Sequence, residues 1–175
     1  MCIFKLVYGV GLRALRMLFK DINPSWTNKP SDAAGIDRGK MKLTKEEEAS
    51  FNKGNIKEWD FSLMIKVLLN SGSCVLEINK RPDFTRALQE LRIARNRLLG
   101  HPSTESMSDD DFKTLWPHLS SNFVVLGANE SDIADIIHQS GIHMHHAATV
   151  LFMNTIAIFP NFLLVAVILI FFPER

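Results

Sequence analysis

The sequence predicts an all-α fold: a helical bundle over residues 1–140, followed by a C-terminal hydrophobic, membrane-spanning helix. Three observations predict it. Apolar residues before position 140 recur at helical rather than alternating spacing. No segment shows strand alternation. The stretch 147–173, "AATVLFMNTIAIFPNFLLVAVILIFFP", carries no charged residue and has the composition of a segment that crosses a bilayer. With 175 residues and 46% hydrophobic content, the chain can bury one ordinary core and still have a tail left over.

The elements follow in order. Residues 3–20 place Ile3, Phe4, Leu6, Val7, Val10, Leu12, Leu15 and Leu18 at helical intervals. Lys5, Arg13 and Arg16 interrupt that apolar run, and no small-residue cleavage site follows a clean apolar core, so it reads as an amphipathic first helix and not a signal peptide. It should stop before "NPSWTNKP", where two prolines enforce an extended connection. "DAAGIDRGK" reads as a loop. "LTKEEE" offers a capping box, Thr44 with Glu47 three residues on, and predicts a short helix. "WDFSLMIKVLLN" predicts another through Phe61, Leu63, Met64, Val67 and Leu68, closed by "SGS". The most regular helix begins at Pro82-Asp83, where proline and an acidic first turn favour a start, and stops at Gly100. "SMSDDDFKTLWPHLSSNFVVLG" opens with Ser108 as a cap and three aspartates over the helix N-terminus. Pro117 should kink or divide that helix. "NESDIADIIHQSG" supplies a last short helix with Ser131 as its cap.

The tail carries Pro160-Asn161 near its centre. As a helix, 162–172 would be only about 16 Å long, short of a hydrocarbon core of about 30 Å. The tail therefore spans with a proline kink or forms a re-entrant hairpin, and the single span is the reading adopted. No Lys or Arg lies between Gly127 and His146, and only Arg175 follows the apolar run. The expected topology is that of a tail anchor, single-pass, with the N-terminal domain facing the cytosol. If the tail is the product of a mis-predicted gene end, a cytoplasmic location is expected instead. The domain plan is thus 1–140 helical domain, 141–146 His-rich linker and 147–173 transmembrane segment.

Composition narrows the function. Twenty basic and 19 acidic residues give a formal charge of +1, so no global basic field advertises nucleic-acid binding and any such contact must be local. Cys2 and Cys74 make no disulfide framework and lack zinc-ligand spacing, which suits a reducing compartment. There is no Gly-rich phosphate loop. The local exception is "RNRLLGH", residues 95–101. At about 100° per residue, Phe84, Leu88, Leu91, Leu98 and Leu99 fall within roughly 60° of their mean direction, and Arg95 falls in the middle. An obligate cation on a buried stripe either snorkels to solvent, pairs with a carboxylate, or serves chemistry. Its company favours chemistry: Asn96 follows directly, and His101 comes six positions on, past the stop at Gly100. An arginine and a histidine in one cleft suit phosphodiester cleavage by a ribose 2′-hydroxyl. The imidazole moves the proton, the guanidinium holds the developing charge, and no metal or other cofactor is needed.

These residues resemble the R-x(4–6)-H signature of HEPN domains, in which the residue after the arginine is often polar. The resemblance extends to "GLRALRMLFKDINP", "WDFSLMIKVLLN", "RNRLLGHPS" and "DDDFKTLWPHLSSNFVVLG". These blocks stand in the order and spacing of the subfamily first described in a DAZ-interacting RING-type ubiquitin ligase, which is also common in immune-receptor-like proteins of invertebrates. It covers roughly residues 11–127. The resemblance implies a homodimer whose protomers share one cleft for single-stranded RNA. In the ribonucleases of the family such a cleft yields 2′,3′-cyclic phosphate and 5′-hydroxyl ends. On this sequence His101 would transfer the proton, Arg95 would clamp the phosphate, Asn96 would support it, and Arg92 and Arg97 would add RNA backbone contacts. Many HEPN domains instead dimerise or bind RNA without cleaving it, within signalling or innate-defence proteins. The chain shows no RING cysteines, nucleotide-binding loop or death-like domain to complete a ligase or receptor. The favoured expectation is therefore a membrane-tethered module for dimerisation or RNA binding, with signalling proteins as partners; the alternative is the metal-independent endoribonuclease.

Other features have plainer readings. His138 and "HMHH", 143–146, lack a carboxylate or thiolate at metal-binding spacing and read as a solvated linker. Trp59 and Trp116 read as core anchors rather than base-stacking platforms. Asp109, Asp110 and Asp111 read as helix capping, since successive carboxylates diverge around a helix.

Overall fold

Every regular element among the described residues is a helix, as the apolar spacing predicts. The computed structural model describes residues 2–100 and 109–139, which belong to one unit, Met1–Ser140. A second unit, Gly141–Arg175, lies outside the described residues, and with it the predicted linker 141–146 and the apolar stretch 147–173. Ser108, His101 and "HMHH" fall outside as well.

The chain opens with α1 (Cys2–Phe4), a π-helical segment (Lys5–Gly11) and α2 (Leu12–Ile22). The predicted single helix is thus π-helical over Lys5–Gly11. Gly9 and Gly11 weaken the α-helical preference there, and apolar spacing alone does not tell the two helix types apart. Then come α3 (Pro30–Gly35), α4 (Lys45–Asn52), α5 (Phe61–Asn70), α6 (Gly72–Ile78), α7 (Pro82–Gly100), α8 (Asp109–Val125) and α9 (Glu130–Gln139). Two predicted loops are helical. Pro30, at the first helical position, starts α3 inside the expected loop, while the Asp32 carboxylate accepts the backbone N–H groups of Thr27 and Lys29 at 2.7 and 3.0 Å. "SGS" does not end the helical chain but bends it: Ser71 is the last cap of α5 and the first of α6.

The capping box of α4 forms as predicted, with Thr44 Oγ1 accepting the Glu47 N–H at 3.2 Å and Glu47 Oε2 accepting the Thr44 N–H at 2.8 Å. At α9 the cap is Asn129 and not Ser131: Asn129 Oδ1 accepts the Ser131 N–H at 3.0 Å. Gly127, at φ +94°, ends α8 and leaves Asn129 to start the next helix. Pro117 sits within α8 and does not divide it.

The core has an aromatic centre. Phe19, Trp26, Phe51 and Trp59 lie with ring centroids 4.9–5.4 Å apart, each such pair contributing about 0.5–1.5 kcal/mol beyond its buried area. Trp59 is fully buried and Trp116 nearly so, which bears out both as core anchors. Trp26 comes from the predicted extended connection and packs on Phe19 and Trp59, while its indole N–H is satisfied by the Gly54 carbonyl at 2.8 Å. Beyond it, Phe61 meets Phe123 edge-on at 6.0 Å. A Cβ at position 11 would strike the Phe123 ring, so Gly11 lets the π-helical segment approach α8. Among the described residues no single helix is long and apolar enough to cross a membrane. α5 and α6 pass that test as a pair but meet at 76°, and the apolar residues they carry include buried core members Phe61, Leu63, Met64, Ile65, Val67, Leu68 and Ile78.

Candidate functional site

α7 runs from Pro82 to Gly100, the bounds its sequence signals predict, and packs against both α5 and α8. Its buried stripe is Ala87, Leu88, Leu91 and Ala94; the side chains of Leu98 and Leu99 lie outside the described residues. At about 100° per residue, Arg95 points between Leu88 and Leu91, and it is half-buried. The arginine is therefore on the stripe, as its spacing predicts.

What α5 presents to it explains how it is accommodated. Arg95 Nη2 donates to Ser62 Oγ, and Nη1 donates to Asn96 Oδ1 at 2.7 Å. Both acceptors are neutral. Among the described residues no carboxylate forms an ion pair with Arg95, while Arg13, Arg38, Lys53, Lys66, Lys80 and Lys113 each have one. Two of the five guanidinium donors hold the side chain in place, and its charge is left for an anion.

Ser62 does not stand alone. Its hydroxyl donates to Glu47 Oε1 at 3.1 Å, and Lys66 Nζ donates to Glu47 Oε2 at 2.6 Å. The Glu47 side chain is only 12% exposed. Burial pushes its pKa up, but hydrogen bonds from Lys66, the Thr44 backbone and Ser62, with the Lys66 charge, outweigh that and hold it below the usual glutamate range. Glu47 thus serves two structures at once, the α4 cap and the α5 surface beside Arg95. The box spacing reveals only the first of these roles. The second has no short-range signal, because Glu47, Ser62 and Arg95 meet only through packing.

The other predicted residues are more scattered. Asn96, Arg92 and Arg97 are exposed. Arg92 lies about 60° around the helix from Arg95 and can serve the same surface; Arg97 lies about 160° away and points elsewhere. His101 lies outside the described residues. Among those residues, no group of three His, Cys, Asp or Glu side chains is placed to hold a metal ion. Asp110 is solvated and pairs with Lys113 at 3.6 Å. On the α8 side, Glu90 accepts from Asn122 Nδ2 at 3.1 Å and faces His118 Nδ1 at 3.6 Å. That cluster is about 140° around α7 from Arg95 and forms no part of the same site.

The Arg95-Asn96 pair on α7 is the part of the HEPN-like signature that lies within the described residues. Comparison with known families agrees: residues 78–147 match the DZIP3/hRUL138-like HEPN family. This part of the chain is a HEPN domain of that subfamily. No curated protein and no solved structure matches the chain. The match takes in α7, α8 and α9. It leaves out α5 and α4, and with them Ser62 and Glu47, together with the first two blocks of the sequence resemblance.

Proposed function

We propose that this chain is an RNA-binding HEPN module that works as a homodimer, with Arg95 as its central phosphate contact. The observation that supports this most is the state of Arg95, a half-buried cation oriented by neutral acceptors with no carboxylate paired to it among the described residues. Arg92 extends the contact along the same side of α7, and Arg97 contributes only where RNA or a second protomer reaches around the helix. The uncharged stretch 147–173 supports tethering to a membrane with the helical domain on the cytosolic side. The kinship with DZIP3-like HEPN domains supports a signalling or innate-defence setting and partner proteins drawn from it.

The test is binding of the full chain to a labelled single-stranded RNA of mixed sequence across a salt series. Arg95→Ala should weaken binding about tenfold, the worth of one charge-assisted contact of about 1.4 kcal/mol. Equal binding by wild type and variant would overturn the reading.

A second reading, metal-independent RNA cleavage, has its own support: the sequence retains His101 six residues after Arg95. His101 would take the 2′-hydroxyl proton while Arg95 stabilises the charge developing on the phosphate. Incubation with RNA in EDTA decides it. Cyclic-phosphate ends produced by wild type and not by His101→Ala would establish the nuclease, and intact RNA beside a folded, RNA-binding protein would exclude it.

A further inference from the structure

Arg95 is held from a distance by residues of two other helices. We infer that Ser62 and Glu47 are positioning residues that aim the Arg95 guanidinium at a phosphate of bound RNA, an inference that rests on the RNA-binding reading above. The argument is one of hydrogen-bond polarity. A serine hydroxyl has one proton to give and lone pairs to accept with. Glu47 stays ionised because Lys66 and the Thr44 N–H hold its other oxygen, so it takes the Ser62 proton at 3.1 Å. Ser62 is then left facing Arg95 as an acceptor only, which is the role a guanidinium requires. Donation therefore runs from Arg95 to Ser62 to Glu47, and Lys66 donates to the same carboxylate at its other oxygen.

The charges sort themselves in the same way. Lys66 neutralises Glu47, so the carboxylate orders Ser62 without cancelling the charge on Arg95. Had Glu47 reached Arg95 directly, the ion pair would compete with any phosphate. A hydroxyl between them separates aiming from neutralisation. Without Ser62 the arginine loses its acceptor on α5, and its flexible stem is free to carry the head out to water. Ordering that stem would then have to be supplied by the RNA on binding, at a cost in affinity.

The experiment is RNA binding by the full chain as a function of salt, with thermal melting in parallel, for wild type, Arg95→Ala, Ser62→Ala, Ser62→Thr and Glu47→Gln. Losing one phosphate contact on single-stranded RNA should lower the slope of log K against log salt by about 0.7. Arg95→Ala should show that drop. Ser62→Ala should weaken binding about three- to tenfold, as expected for one hydrogen bond worth about 0.7–1.4 kcal/mol, and should lower the slope in the same direction. Ser62→Thr, which keeps the hydroxyl, should restore both. Glu47→Gln should fall between Ser62→Ala and wild type, because an amide can offer Ser62 either a donor or an acceptor. A merely structural role would lower the melting temperature and leave the slope untouched.

If Arg95→Ala loses affinity while Ser62→Ala and Glu47→Gln bind as wild type, the positioning role is overturned and the RNA-binding reading stands. If Arg95→Ala itself binds as wild type, both fall. Should Ser62→Ala fail to fold, Glu47→Gln carries the decision: wild-type affinity and slope in that variant overturn the role.

Discussion

The two sides of α7 handle charge in opposite ways. Towards α5, Arg95 is gripped by Ser62 and Asn96, both neutral, and keeps its charge. Towards α8, Glu90 accepts from Asn122 at 3.1 Å and faces His118 Nδ1 at 3.6 Å. The first arrangement sets a cation among neutral acceptors; the second sets a carboxylate between an amide donor and an imidazole. The apolar stripe between them, centred on Leu88 and Leu91, holds the helix in place. The polar groups on either side are then free to differ in purpose. The comparison teaches that a hydrogen bond and a countercharge are separate provisions: Arg95 has the first, and no carboxylate among the described residues supplies the second.

Truncating the stripe should break the comparison outright. Leu91 is fully buried, and Leu91→Ala should cost about 2–5 kcal/mol of folding stability by the lost transfer energy and the cavity left behind. Urea denaturation measures it. A loss under about 1 kcal/mol would mean that the polar contacts, not the stripe, hold α7.

The α5 side has a pH dependence of definite sign. Glu47 has its pKa lowered in the fold, so it binds fewer protons folded than unfolded. Its contribution is present above the unfolded value of about 4.3 and is lost as pH falls through the lower folded value. Glu47→Gln should remove that part of the acid limb and, at neutral pH, cost about 1–3 kcal/mol by leaving Lys66 and the Thr44 cap without their carboxylate. Thermal melts from pH 7 down to about 2.5, a range bracketing the carboxylate titration, would show the variant less stable at neutrality and converging with wild type in acid. Parallel curves would mean that Glu47 is not the group that titrates.

How much of this was legible beforehand depends on the range of the interaction. The helical class, the bounds of α7 and the Thr44 cap are set by neighbours within a turn or two, and spacing reveals them. So does the oddity of Arg95, which is a property of one helix. Ser131 was misread as a cap because Asn129, two residues earlier, starts the helix first and accepts the Ser131 N–H, leaving Ser131 inside the first turn. The helix at Gly72–Ile78 was missed because "SGS" signals a break without saying whether a helix resumes. Trp26 lay in a proline-rich connection, and its core partners Phe19 and Trp59 and its acceptor Gly54, 28 positions away, meet it only through packing. The partners of Arg95 were the least legible: Ser62 is 33 positions distant, and nothing near it marks it as an acceptor. Those meetings are made by packing, and only coordinates show them.

The smallest effect is the sharpest control on the two sides of α7. Glu90 and His118 are 39% and 61% exposed in their side chains and stand 3.6 Å apart, so water screens their attraction and competes for both groups. His118→Ala should change stability by no more than about 0.5 kcal/mol and should leave the salt slope of RNA binding where it is. A fall in that slope comparable to the one expected for Arg95→Ala would place RNA on the α8 side as well, and α7 would then present two nucleic-acid surfaces rather than one. An unchanged slope, beside a lowered one in Arg95→Ala, confines the phosphate contact to the side of the helix where Arg95 meets Ser62.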